Sequence, residues 1–168
     1  MKTSFKTTLA FAMVAFFAAC STPTVSSDDD DFYGRVPVSS SGSAKSIYEA
    51  VEESGLYTTK DSVAAYLCKF DKLPSNYITQ NEGKALYESK TGNTFSKWNF
   101  NPWTTLGVMI GGDSFGNKEG LLPKGSYHEA DVDYSAKNRG TKRLVYEGDC
   151  VIYYTAEHYM SFSKREVR

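Results

Sequence analysis

The sequence predicts an α+β fold, with N-terminal helices packed on one face of a five-stranded antiparallel sheet. Two observations carry that expectation. Before Gly92 the apolar residues recur at helical spacing, with helix start and stop signals around them. Beyond Gly92 the chain turns into short β-branched or aromatic segments divided by Gly, Asn and Asp. Helical segments followed by about five strands are the pattern of helices laid on an antiparallel sheet.

The first twenty residues, "MKTSFKTTLAFAMVAFFAAC", stand outside that fold. Lys2 and Lys6 precede an apolar run from Leu9 to Ala19, which is too short to span a bilayer and reads as a secretory signal. Its end, "FAAC", has the form of a bacterial lipoprotein signal, with Cys20 as the lipidated residue, although Phe17 stands where such signals usually carry Leu. Ordinary cleavage nearby is the alternative. Cysteine parity favours the anchor: with three Cys in an exported chain, acylation of Cys20 leaves Cys68 and Cys150. Residues 21–44 are rich in Ser, Thr, Pro and Asp and too poor in apolar side chains to fold, so they form a tether in which Asp28–Asp31 is a solvated spacer. The folded domain is expected over 45–168.

Within it, "AKSIYEAVEESG" suits a short amphipathic helix with Ile47, Ala50 and Val51 on one side. "KDSVAAYLCKFDKLP" places Val63, Tyr66, Leu67 and Phe70 at helical spacing, with Pro74 just past the end. "TQNEGKALYESK" opens with Thr79 and, three residues later, Glu82, a capping box. The strands follow as "LGVMIGGD", "YHEADVDY", "KRLVYEG", "CVIYYTA" and "HYMSFSK", with "EGDC" as a hairpin turn.

Charge narrows the function. From Lys60 onward 15 Lys and Arg oppose 13 Asp and Glu, and from Cys20 to Thr59 the count is 2 against 7. A chain of that balance does not coat polyanions in general, so any nucleic-acid chemistry needs a focused patch. Alternation along "YHEADVDY" puts Glu129, Asp131 and Asp133 on one face and His128 on the other. Glu129 must therefore find its partner on another strand. His158, in "YYTAEHYMSF", is the second of only two histidines.

The segments "VAAYLCKFDKLPSNYIT", "IGGDSFGNKEGLLP", "HEADVDY", "RGTKRLVY" and "YYTAEHYMSF" resemble, in order and near-spacing, the barnase and binase family of small bacterial extracellular ribonucleases. The resemblance runs from Val63 to about Lys164 and fails at "NTFSKWNFNPWTTLG", which reads as an insertion. It implies the microbial ribonuclease fold. It also implies Glu129 as general base, His158 as general acid and Arg139 and Arg143 as phosphate-binding groups. Asp131 would hold the two arginines by charge-assisted hydrogen bonds, and Tyr159 would contact the phosphate or the leaving nucleoside. The loop "DSFGNKEG" would take guanine: Phe115 stacks, Glu119 accepts from the base, Asn117 shapes the loop, Lys118 lies at a family phosphate-contact position and Asp113 orients the site. A Cys68–Cys150 disulfide follows from the same resemblance.

Cleavage of RNA by such residues needs no metal and no organic cofactor. A carboxylate takes the ribose 2′-OH proton and an imidazolium protonates the departing 5′-oxygen, so the rate should peak on the mildly acidic side. The expected partner is single-stranded RNA, with a barstar-like intracellular inhibitor protecting the producing cell. The protein would be a monomer, touching a membrane only through a lipid at Cys20. It would lie outside the cell or at the cell surface or periplasm. Three departures weigh against full activity: Gln80 replaces a catalytic-site Lys, Lys118 an Arg and Gly116 a Ser. They leave room for a catalytically weakened RNA- or nucleotide-binding surface protein on the same fold. An antibacterial ribonuclease toxin would share the chemistry.

Overall fold

The computed structural model describes residues 44–168, so the expected signal segment over 1–20, Cys20 and nearly all of the expected tether lie outside the described residues. Helix α1 (Ala44–Ala50) leads into α2 (Lys60–Phe70). Thr59 caps α2 with its side-chain oxygen, and Asp71 ends it in the left-handed conformation. Val63 to Leu67, a full turn of α2, are all buried, between the sheet on one side and the segment around α1 on the other. At about 1.5–3 kcal/mol for each large apolar side chain, this burial is what holds the helix in place. Residues of and after α1 close over α2: Lys69 Nζ donates to the Val51 carbonyl at 2.7 Å and Tyr66 Oη to that of Glu53 at 2.8 Å.

A two-residue strand, β1 (Tyr77–Ile78), precedes α3 (Gln80–Thr91). The expected capping box forms in full between Thr79 and Glu82, and Gly92 closes the helix. A further short helix, α4 (Pro102–Leu106), occupies the insertion. Asn101 at its N-cap, Pro102 at its first position and Gly107 just past its end are the ordinary local signals for such a turn of helix.

The strands β2 (Met109–Phe115), β3 (Tyr127–Asp131), β4 (Arg143–Glu147), β5 (Val151–Thr155) and β6 (Ser163–Lys164) form the expected five antiparallel strands in sequence order. β1 adds a sixth by pairing parallel to β2. β6 is shorter than its sequence pattern suggests, pairing only Tyr153 with Lys164 and Tyr154 with Ser163. His158 to Phe162 therefore form a turn rather than a strand.

The sheet has two unlike faces. Ala130, Leu144 and Ile152 join Val63, Ala64 and Leu67 in the main core under the helices. On the opposite face Val145, Tyr127 and Leu122 form a smaller cluster with Phe115, Tyr153, Tyr159 and Phe162. Cys68 of α2 and Cys150 are joined by a disulfide across 82 residues of sequence, fastening the helix to the β4–β5 turn.

One expected alternation fails. β3 ends at Asp131, and Asp133 takes φ 48°, so it does not share a strand face with Glu129 and Asp131. Its carboxylate instead accepts from the Lys60 amide at 3.0 Å, at the start of α2. An unsatisfied helix N-terminus draws a carboxylate more strongly than a strand position does.

Candidate active site

Glu129 and Asp131 lie two residues apart on β3, so both point to the face away from the helices, while Ala130 enters the main core. Across the ladder Glu129 is paired with Val145 and Asp131 with Arg143. His128 turns the other way, its Nδ1 lying 3.2 Å from the Gly112 carbonyl. That leaves Glu129 to be addressed from other elements, and two of them reach it. Tyr159, in the turn after β5, donates its hydroxyl to Oε2. Gln80, at the start of α3, donates Nε2 to Oε1 at 3.3 Å. Burial, reinforced by the hydrogen bond to the Glu129 carboxylate, pushes the Tyr159 phenol well up from its ordinary value. Tyr159 thus remains a neutral donor far into the alkaline range.

Gln80 is itself held. Its backbone N–H donates to Asp113 Oδ2 at 2.8 Å. Asp113 reaches it because β2 carries an irregularity between Gly111 and Ser114, where Gly112 takes φ 92°. Bulges of this kind re-aim side chains next to functional sites.

Asp131, 1% exposed, is the centre of the charge arrangement. Its Oδ1 receives Arg139 Nη2 at 3.0 Å and lies 2.6 Å from Arg143 Nε. Its Oδ2 receives Arg139 Nε and the Tyr134 hydroxyl, the latter at 2.7 Å. Three hydrogen bonds and a close ion pair thus converge on one carboxylate. Arg143 Nε is paired with Asp131 in distance but not in hydrogen-bond alignment; its Nη1 and Nη2 donate to the Lys142 and Gly140 carbonyls at 2.7 and 3.3 Å. For Arg139, burial works against the charged form, but the Asp131 contact outweighs it and the guanidinium stays charged. With side chains 11% and 2% exposed, Arg139 is the more accessible of the two. Buried charges are kept only when compensated this completely.

His158 and Tyr159 both adopt left-handed backbone, φ 52° and 73°, in a turn fastened by Tyr159 N donating to Thr155 Oγ1 at 3.0 Å. Their rings lie 4.6 Å apart. Together with Phe115, Glu119, Leu121 and Met160 they line a cleft of about 450 Å³. The Phe115 ring packs against Tyr159 and Phe162, 5.1 and 5.9 Å between centroids. Asn117, at φ 42°, ties the loop after β2 by bonds to Leu122: Nδ2 to its carbonyl at 2.8 Å and Oδ1 from its amide at 3.1 Å. Glu119 is exposed at the cleft, and Lys118 is exposed in the same loop but does not line it.

The structure therefore brings Glu129, Tyr159, Asp131, Arg139 and Arg143 to one face, with His158, Phe115 and Glu119 around an adjoining cleft. Tyr134 and Gln80 belong to the same network. Tyr134 gave no signal in the sequence, because it meets Asp131 only after the chain has left β3. The exposed apolar rim of Leu121 and Met160 was equally silent.

A ribonuclease family model matches residues 60–166. Among curated proteins, a ribonuclease of Bacillus intermedius is 40% identical over 117 residues, covering 68% of each chain. A ribonuclease of Heyndrickxia coagulans is 42% identical over 109 residues, 63% of this chain and 94% of that one. Among solved structures, ribonuclease Sa2 with guanosine-2′-cyclophosphate is 28% identical over 58% of this chain and 92% of that one, with a TM-score of 0.30. The sequence matches carry the assignment: the chain belongs to the ribonuclease family, as a microbial ribonuclease of the barnase and binase type.

Proposed function

We propose that the chain is an exported endoribonuclease that cuts single-stranded RNA on the 3′ side of guanosine, through a 2′,3′-cyclic phosphate. The observation that supports this reading most is the arrangement on β3. A carboxylate oriented by Tyr159 and Gln80 stands one strand repeat from a buried carboxylate that holds two arginines.

In this reading Glu129 takes the proton of the ribose 2′-OH as O2′ attacks phosphorus. His158 delivers a proton to O5′ as the P–O5′ bond breaks. Water then opens the cyclic phosphate with the two roles reversed. Each proton transfer contributes about 10²–10⁴-fold. Arg139, with Arg143 behind it, stabilises charge gathering on the phosphoryl oxygens through donors already in place. Guanine enters the cleft against Phe115, with Glu119 accepting from its N1 and N2 donors. A base without those donors would displace water from that carboxylate without pairing it, which supplies discrimination. Gln80 orients the base but carries no charge, so turnover depends more heavily on the arginines. The domain is carried outside the cell by residues 1–20 and tethered through 21–44, with Cys20 as the anchor, and a barstar-like inhibitor guards the producing cell.

The test is incubation with a GpN dinucleotide in EDTA, followed by analysis for 2′,3′-cyclic GMP. Cleavage that disappears in Glu129→Ala and His158→Ala, with nucleotide binding retained, is the expected result. Absence of cleavage at high enzyme concentration would favour a nucleotide-binding surface protein instead.

A further inference from the structure

The segment between α3 and α4 carries an aromatic cluster that the reaction scheme does not use. Trp98 packs on Phe95 and Phe100, with centroids 4.7 and 5.6 Å apart, and Phe100 stacks on Tyr87 of α3 at 5.0 Å. Gly83 lets the indole descend onto α3, because a Cβ there would come within 2.9 Å of its ring and 2.7 Å of Ile110. The same indole meets Arg139, whose Cζ lies 5.3 Å from a ring centroid, within the range of a cation–π contact. A second tie joins the two segments: Asn101 Nδ2 donates to the Ser135 carbonyl at 2.7 Å, in the loop that carries Arg139.

Arg139 is thereby held from two directions. Asp131 takes the edge formed by Nε and Nη2, and the indole of Trp98 lies against the guanidinium. We propose that Trp98 is a positioning residue for Arg139: it keeps water off the guanidinium and holds its remaining N–H groups ready for the phosphoryl oxygens. Arginine side chains lose rotamer freedom when they bind an anion, and a supporting contact meets that cost before the substrate arrives. The inference rests on the reading of Arg139 as a phosphate-binding group.

The experiment is a double-mutant cycle on GpN cleavage with Trp98→Leu, Trp98→Phe and Arg139→Gln, each variant checked for folding by urea denaturation. Trp98→Leu should lower kcat/KM about tenfold while affinity for guanosine, which has no phosphate, stays unchanged. Trp98→Phe keeps an aromatic face and should retain activity within about threefold. In the Arg139→Gln background, Trp98→Leu should cost nothing further. Equal losses with and without Arg139 would overturn the proposal. If Arg139→Gln alone cleaves at the wild-type rate, the phosphate-binding reading of Arg139 is what fails.

A second readout does not depend on Trp98→Leu folding. The chain has two tryptophans, so Trp103→Phe leaves Trp98 as the single emitter. Guanosine 3′-phosphate should change its fluorescence, whereas guanosine should not. Unchanged emission on saturation with the phosphate overturns the positioning role.

Discussion

Replacing Asp131 by Asn removes one negative charge at nearly constant volume, so packing is left out of the comparison. The carboxylate is 1% exposed and surrounded by Arg139, Arg143 and Tyr134. The amide that replaces it offers one acceptor atom in place of two and turns an N–H group toward guanidinium donors. Arg143, with a side chain 2% exposed, has no route to water and keeps its charge without a counter-ion. Removing one partner of a buried ion pair costs about 3–5 kcal/mol. In a domain whose whole stability is of order 5–15 kcal/mol, that is a large share. With a urea slope of about 1–3 kcal/mol/M, the unfolding midpoint should fall by about 2 M. Activity measured well below the new midpoint should fall by about 10²-fold, because both arginines lose their mooring. Tyr134→Phe is the graded control. It removes one donor and leaves the Ile110 amide, which donates to that hydroxyl at 3.0 Å, without an acceptor, for a smaller loss of about 1–2 kcal/mol. A midpoint for Asp131→Asn within about 0.5 M of wild type would refute the account of Asp131 as the charge that holds the arginines.

Gln80→Lys places an ammonium beside Glu129, where in the proposed reaction a phosphoryl group gathers charge, and kcat on GpN should rise up to about tenfold; an unchanged or lower kcat means that Gln80 does not limit turnover. Reducing the Cys68–Cys150 disulfide releases a loop of 82 residues and should cost about 4.5 kcal/mol in the chain-entropy model. Activity at low temperature should survive, since the bond fastens α2 on the far side of the sheet, and parallel urea melts and rate assays separate the two effects. Burial raises the phenols of Tyr77, Tyr134 and Tyr159 well above the ordinary tyrosine value of 10.0 and that of Tyr146 to about 12. A raised folded-state value gives stability that is complete below the unfolded value and lost as pH climbs toward the folded one. Urea midpoints should therefore hold up to about pH 10 and fall steadily above it, tracked against tyrosinate absorbance; a midpoint constant to pH 11.5 contradicts the burial of these hydroxyls.

Features that depend on neighbours along the chain are legible in the order of residues alone. The Thr79–Glu82 capping box, the α2 stripe and the inward and outward residues of β3 are set by periods of 3.6 and 2 and by orphan amides within one turn. Family resemblance placed Glu129, His158, Arg139, Arg143 and the Cys68–Cys150 pair. α4 belongs with the features set along the chain, since Asn101, Pro102 and Gly107 are local helix signals. The contacts that give those residues their environment come instead from packing. Asp133 leaves the β3 face because the α2 N-terminus, 73 residues away in sequence, offers its carboxylate an amide. Gln80 meets Glu129 across 49 residues, Tyr159 meets it across 30, and Trp98 reaches Arg139 from another element altogether. No periodicity encodes such meetings, because they arise from how the helices and the sheet pack rather than from the order of residues in either.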